Sequence, residues 1–220
     1  MSDSAAAVAP LSFAQNTALL TASSNVTELL ALDEAWTVYL TSVQEGRIEE
    51  IDYRGLLDLS ERMLAGLDEL AQATPTIRDI LDPQPDLIFD VGFRRIVESL
   101  QGYELFGWLL SLPSGELARL TRSAWQWIGE EVGEERSILE YKRNLLANGE
   151  RCDPDFRLRF KCVLALAGVG MAGAVAGIGV VATLGVAGAI GIGVGAAAIG
   201  TGKVILENAC GDGPIKEALA

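Results

Sequence analysis

Two glycine-rich stretches and one run of acids are the places where this chain could do chemistry. Gly168-Val-Gly170-Met-Ala-Gly173 has the G-x-G-x-x-G spacing that lets a backbone approach a pyrophosphate, and it follows the strand-like Val163-Leu-Ala-Leu. Its context does not support a dinucleotide site. No acid stands about 20 residues on to hold a ribose, no further strands are available for a parallel sheet, and the surrounding run is so glycine-rich that the spacing arises easily by chance. Gly200-Thr-Gly-Lys203 resembles the end of a phosphate loop, but Ala197 stands where its first glycine belongs and Val204 replaces the Ser or Thr that would hold magnesium. Glu130, Glu131, Glu134 and Glu135 could form a carboxylate pair or a cation site, although such a run on a helix reads first as a solvated face. The chain has no histidine, which removes Ser-His-Asp and Cys-His nucleophile systems and the usual zinc sets. The expectation is a protein that is not an enzyme and carries no cofactor or metal.

The elements that must position these residues are helical. Asn25 with Glu28 resembles a capping box, and Leu29, Leu32, Trp36, Leu40 and Val43 recur at helical spacing before Gly46. A second amphipathic helix follows Asp52 along Leu56, Leu59, Met63, Leu67 and Leu70 and is expected to stop before Pro75, giving an antiparallel pair. Asp82-Pro83-Gln84-Pro85 marks a corner. The stretch from Leu87 to Leu112 is apolar and aromatic and predicts one helix broken at Gly102, or two. Ser114 is placed to cap a helix through Ile128, and another is expected from Glu131 to Asn148, ended by Gly149. Residues 1–24 read as a loose arm, 25–150 as an acidic helical domain, 151–161 as a basic linker, 162–202 as a hydrophobic hairpin and 203–220 as a tail. The fold class is therefore all-α, about five to seven amphipathic helices plus an apolar C-terminal hairpin.

Charge divides the chain in the same way. Residues 1–161 hold 27 of the 30 acids and 15 of the 17 bases, whereas only Glu207, Asp212, Glu217, Lys203 and Lys216 lie beyond Cys162. A net charge of −13 argues against binding to a phosphate backbone, so nucleic acid is not an expected partner. Met1 to Leu20 shows no basic n-region followed by a long apolar run, so synthesis in the cytoplasm without a signal peptide is expected. Cys152, Cys162 and Cys210 match no zinc or redox spacing and indicate no disulfide framework. Cys162 and Cys210 bracket the apolar run and could pair, or Cys162 could accept an acyl chain; unremarkable thiols are the simpler reading.

From Cys162 to Gly202 the chain runs 41 residues without a charge, and twelve of them are glycine. A bilayer core needs roughly 20 helical residues per crossing, so the run matches two spans joined at Thr183 and Gly185. Each glycine costs a helix in water about 1 kcal/mol relative to alanine, whereas in lipid small residues let backbones approach. Gly170, Gly173 and Gly177 form such a face on the first span, and Gly188, Gly191 and Gly195 on the second. These faces would pack the spans together or one copy against another. Arg157, Arg159, Lys161 and Lys203 flank the run as membrane-proximal bases. The competing reading is a helix that is apolar all round because it is a protein core. A barrel reading rests on the period-two alternation around Gly191-Ile-Gly193-Val-Gly195, but the alternate face offers no polar lumen. Trp108, Trp125 and Trp127 suit either a headgroup layer or a core.

This layout resembles the pore-forming domains of colicins: amphipathic helices over 26–148, an Ala/Gly/Val/Ile hairpin over 163–202, then a short final segment, 203–220. The likeness covers most of the chain as architecture and rests on no diagnostic motif. It implies a water-soluble form that shelters the hairpin and a membrane form that releases it. The expected function is accordingly a membrane-inserting, pore-forming or membrane-perturbing effector, with the lipid bilayer as partner and oligomers held by glycine faces. The first alternative is a membrane-anchored adaptor with a cytosolic, protein-binding helical domain; the second is a soluble helical interaction protein with the apolar run buried.

Overall fold

The computed structural model describes residues 11–46, 53–99, 111–152 and 158–182. Within them lie five helices: α1 Phe13–Gln44, α2 Tyr53–Leu81, α3 Asp86–Ser99, α4 Glu116–Ala147 and α5 Leu158–Ala182. The fold is an all-α bundle with one apolar helix toward the C-terminus. The second half of the expected hairpin lies outside the described residues, as do Thr183, Gly185, Gly188, Gly191, Gly195, Lys203, Arg157, Gly102 and Trp108.

Several helix boundaries depart from the sequence reading. α1 begins at Phe13, because Ser12 and Gln15 form the capping box: Gln15 N donates to Ser12 Oγ (3.2 Å) and Ser12 N to Gln15 Oε1 (2.9 Å). Asn25 therefore sits inside the helix, and Leu19, Ala22 and Val26 extend its buried stripe toward the N-terminus. α2 runs through Pro75. Pro75 and Ala71, whose carbonyl it deprives of a hydrogen bond, are both exposed, so water can serve that carbonyl. Burial of Ile77, Ile80 and Leu81 beyond the proline offsets the interruption. α4 is one continuous helix, and its N-cap is Gly115 at φ 82°, where Ser114 had been expected. It does end where Gly149 predicts, with Gly149 at φ 74° and Glu150 N donating to Leu145 O at 2.8 Å. α2 stops at Leu81, immediately before the Asp82–Pro85 corner.

α5 is the centre of the bundle. It packs against α1, α3 and α4, while α2 lies across α1 and α4. Neighbouring helices run antiparallel, as paired contacts show. Glu28 meets Arg62 and Tyr39 meets Gly55 between α1 and α2. Asp68 meets Arg136 and Glu61 meets Arg143 between α2 and α4. Val26 lies beside Gly168 and Asp33 beside Lys161 between α1 and α5. The apolar character of α5 on every face follows from this position, since each face meets protein.

These contacts correct the membrane reading. Phe160–Ile178 is apolar and long enough to cross a bilayer, yet 94% of this stretch is buried inside the bundle. Its side chains are already removed from water by α1, α3 and α4, so this stretch leaves little apolar surface for lipid to cover. The structure thus contradicts a membrane-inserting, pore-forming or toxin function, a transmembrane hairpin over this segment and a membrane-inserted location. Lys161, expected at a membrane surface, instead sits 15% exposed with Nζ 2.7 Å from Oδ2 of the 3%-exposed Asp33, an ion pair that pins α5 against α1. Arg159 belongs to the first turn of α5.

Candidate interaction site

The glycines singled out on α5 are used within the chain. A Cβ on Gly170 would fall 1.7 Å from Thr121 Oγ1 on α4. One on Gly177 would fall 2.1 Å from Ile88 O, and one on Gly173 3.1 Å from Phe89 O, both on α3. Gly92 of α3 meets the same face from the other side. Absent side chains bring α3 and α4 against the α5 backbone, so these three positions are crossings between helices of one molecule. The G-x-G-x-x-G stretch is the interior of a helix, and its supposed preceding strand is the first part of that helix. Cys162 is fully buried and disulfide-bonded, which removes it as an acylation site, whereas Cys152 is half-buried and not disulfide-bonded. The disulfide on Cys162 departs from the reading of unremarkable thiols, and Cys210, the pairing weighed for it, lies outside the described residues.

The acid run divides. Glu130 and Glu134 are exposed, as a solvated face requires, but Glu135 turns inward and is fully buried. Trp125 and Trp127 belong to the core, and Trp127 packs on Phe160 with ring centroids 5.9 Å apart. Among the described residues no three potential metal ligands converge.

The surface feature with the chemistry of a binding site lies where α3 meets the start of α4. Asp90 organises it by accepting from Ser114 Oγ (3.0 Å) and Gly115 N (2.9 Å). That bond holds the turn before α4 against α3 and occupies Ser114, which explains why Ser114 does not cap α4. Gly115 takes the left-handed conformation there, and a side chain would crowd Asp86 Oδ2 at 3.1 Å. Arg122 ties the same corner from below: it donates to Asp86 Oδ1 (2.7 Å) and Gln84 O (2.5 Å), with its guanidinium 5.2 Å from the centroid of Phe89. On the α4 side, Arg119 donates two hydrogen bonds to Glu116. These bonds hold the Glu116 carboxyl below its ordinary range, chiefly through hydrogen bonding and secondarily through charge.

Two open clefts flank this corner and share Ser114. One, of 420 Å³, has an apolar floor including Val91, Phe93, Leu112 and Leu117 and a rim carrying Leu87, Arg94 and Arg95. The other, of 490 Å³, is polar and lined by Arg78, Arg119 and Arg122 together with Asp82, Asp86 and Glu116. Leu87 is 63% exposed, one of few large apolar side chains so placed among the described residues. Arg94 and Arg95 are exposed and form no ion pair among the described residues, unlike Arg62, Arg119, Arg122, Arg136 and Arg143, which each hold a carboxylate.

Sequence reasoning missed this site, although two signals were present. Leu87 lies off the Phe89–Phe93–Ile96 stripe, a position that turns it away from the core. Arg94-Arg95 is a dibasic step in an acidic chain. Comparison with protein-family models, with curated proteins and with solved structures finds no match for this chain.

Proposed function

We propose that this protein is a helical interaction module whose apolar helix is a structural core and whose partner-binding surface is the α3–α4 corner. The observation that carries this reading is the exposed Leu87 at the lip of an apolar-floored cleft beside two exposed arginines, a combination that the other exposed large apolar side chains among the described residues, Phe13, Val38 and Tyr141, do not share. The internal position of α5 supports it by accounting for the most apolar described segment without lipid. The rigid clamping of the corner by Asp90 and Arg122 supports it as well, because a preformed site loses less conformational freedom on binding. A chain without histidine is closed to His-dependent nucleophile chemistry, which favours binding over catalysis.

Site-specific photocrosslinking in the producing cell tests the proposal. A benzophenone side chain at position 87 is expected to give a discrete, light-dependent adduct, and the same group at Tyr141, exposed and remote in sequence on α4, is expected not to. Equal labelling from both positions, or no adduct from position 87, would refute the corner as the partner surface.

A further inference from the structure

We propose that the Leu87 cleft receives an acidic peptide segment, one that places apolar side chains on the cleft floor and carboxylates against Arg94 and Arg95. The inference rests on the interaction reading above and adds the chemistry of the partner.

Charge complementarity within an acidic chain carries it. Acids outnumber bases 30 to 17 in this chain, and Arg62 of α2 with Arg119, Arg122, Arg136 and Arg143 of α4 are engaged by carboxylates of the bundle itself. Arg94 and Arg95 escape that competition, and both line the same cleft. Of the two acids on that cleft, Asp90 directs Oδ2 to Ser114 Oγ and Gly115 N and forms no ion pair with either arginine among the described residues. Glu98 is the remaining acid on the rim, and it forms no ion pair with either arginine. Two uncommitted guanidinium groups over an apolar floor therefore favour a ligand with carboxylates beside apolar groups. Guanidinium forks suit carboxylate geometry, and α3 holds the two stems at fixed positions.

The shape argues for a peptide segment. The rim residues Leu87, Arg94, Arg95 and Glu98 are all exposed, so the cleft is a groove in the surface. It continues at Ser114 into the polar cleft, where Arg78 offers a further cation with no carboxylate partner among the described residues. Together the clefts form a track for several consecutive residues, with an apolar anchor point at one end and polar groups at the other.

Two synthetic fluorescein-labelled peptides test this, identical in their leucine positions and differing only in glutamate or lysine between them, titrated into the full-length protein by anisotropy. The glutamate peptide is expected to bind and to weaken with added salt. Reversing both charges, Arg94→Glu with Arg95→Glu, is expected to weaken it about 10-fold or more, and the corresponding lysine pair, which keeps the charge and loses the fork, should weaken it less. Because both side chains are solvent-exposed, an unchanged melting transition will show that the variants fold. Equal binding of the two peptides, or binding insensitive to the reversal, would overturn the acidic-partner proposal while leaving the cleft as an interaction site. Failure of both peptides to bind would also overturn it, and crosslinking from position 87 would then decide the interaction reading independently.

Discussion

Replacing Gly92 by alanine should destabilise this protein, although alanine is the better helix former. A Cβ at Gly92 would lie 1.8 Å from the Gly173 carbonyl oxygen and 2.3 Å from the Gly177 nitrogen, where real contacts are not closer than 3.0 Å. Both obstacles are backbone atoms of α5, itself confined by α1 and α4, so no side-chain rotation relieves the clash. α3 must move away by more than about 1 Å, which strains a close-packed interior. Overpacking of this kind costs typically about 1–3 kcal/mol and more where backbone has to shift. The propensity gain returns about 1 kcal/mol. With the cost at or above the upper end of that range, because backbone has to shift, a net loss of about 2 kcal/mol or more follows, a fall in Tm of at least about 4–8 °C for a chain of this size. Gly133→Ala is the matched control: Gly133 is exposed on α4 with nothing within 4 Å of its would-be Cβ, so it should gain up to about 1 kcal/mol. Urea melts followed by tryptophan fluorescence, with unchanged m-values, measure both. If Gly92→Ala matched or exceeded the parent, α5 would not be packed on α3 in solution, and the reassignment of this helix from membrane to core would fail.

Two further perturbations probe the bundle. Asp33→Asn removes the carboxylate that the mostly buried Lys161 ammonium meets and should cost up to about 3–5 kcal/mol, whereas Asp33→Leu combined with Lys161→Met should recover most of it; a double variant as unstable as the single one in the same melts would refute the pairing. Glu116→Gln probes a pH dependence whose sign follows from a depressed folded-state pKa: the stabilisation is full above the ordinary carboxylate value of 4.5 and is lost as pH falls through the lower folded value. Because the pair is partly exposed and screened, parent and variant should differ by only about 0.3–0.5 kcal/mol at neutral pH, with the gap closing in acid; a gap that widened in acid would contradict the assignment.

The helical class was legible because apolar residues recur at helical spacing along α2 and along the C-terminal part of α1, and because proline and glycine punctuate the Asp82–Pro85 corner and the end of α4. The start of α1 was obscured because residues 13–24 are mostly Ala, Ser, Thr and Leu, a composition that carries no charge pattern; Ser12 with Gln15 was the available signal. Pro75 misled because whether its carbonyl penalty matters depends on whether that turn faces water. The candidate site was almost invisible, because it is defined by which arginines lack carboxylate partners, and most of those pairs join helices far apart in sequence, as Arg143 with Glu61 does.

What the sequence alone determined is that α5 must leave water: a helix uncharged from Cys162 onward and rich in Val, Leu, Ala and Gly has no stable solvated form. It did not determine what replaces the water, since lipid tails and packed side chains remove apolar surface at nearly the same free energy, and glycine faces serve close approach in both. That choice belongs to the rest of the chain. Stripes on α1, α3 and α4 converge on α5, Gly92 and Thr121 meet its glycines, and Asp33 pairs with Lys161 at its start. Only the assembled bundle brings these residues together, because they are spread over four helices.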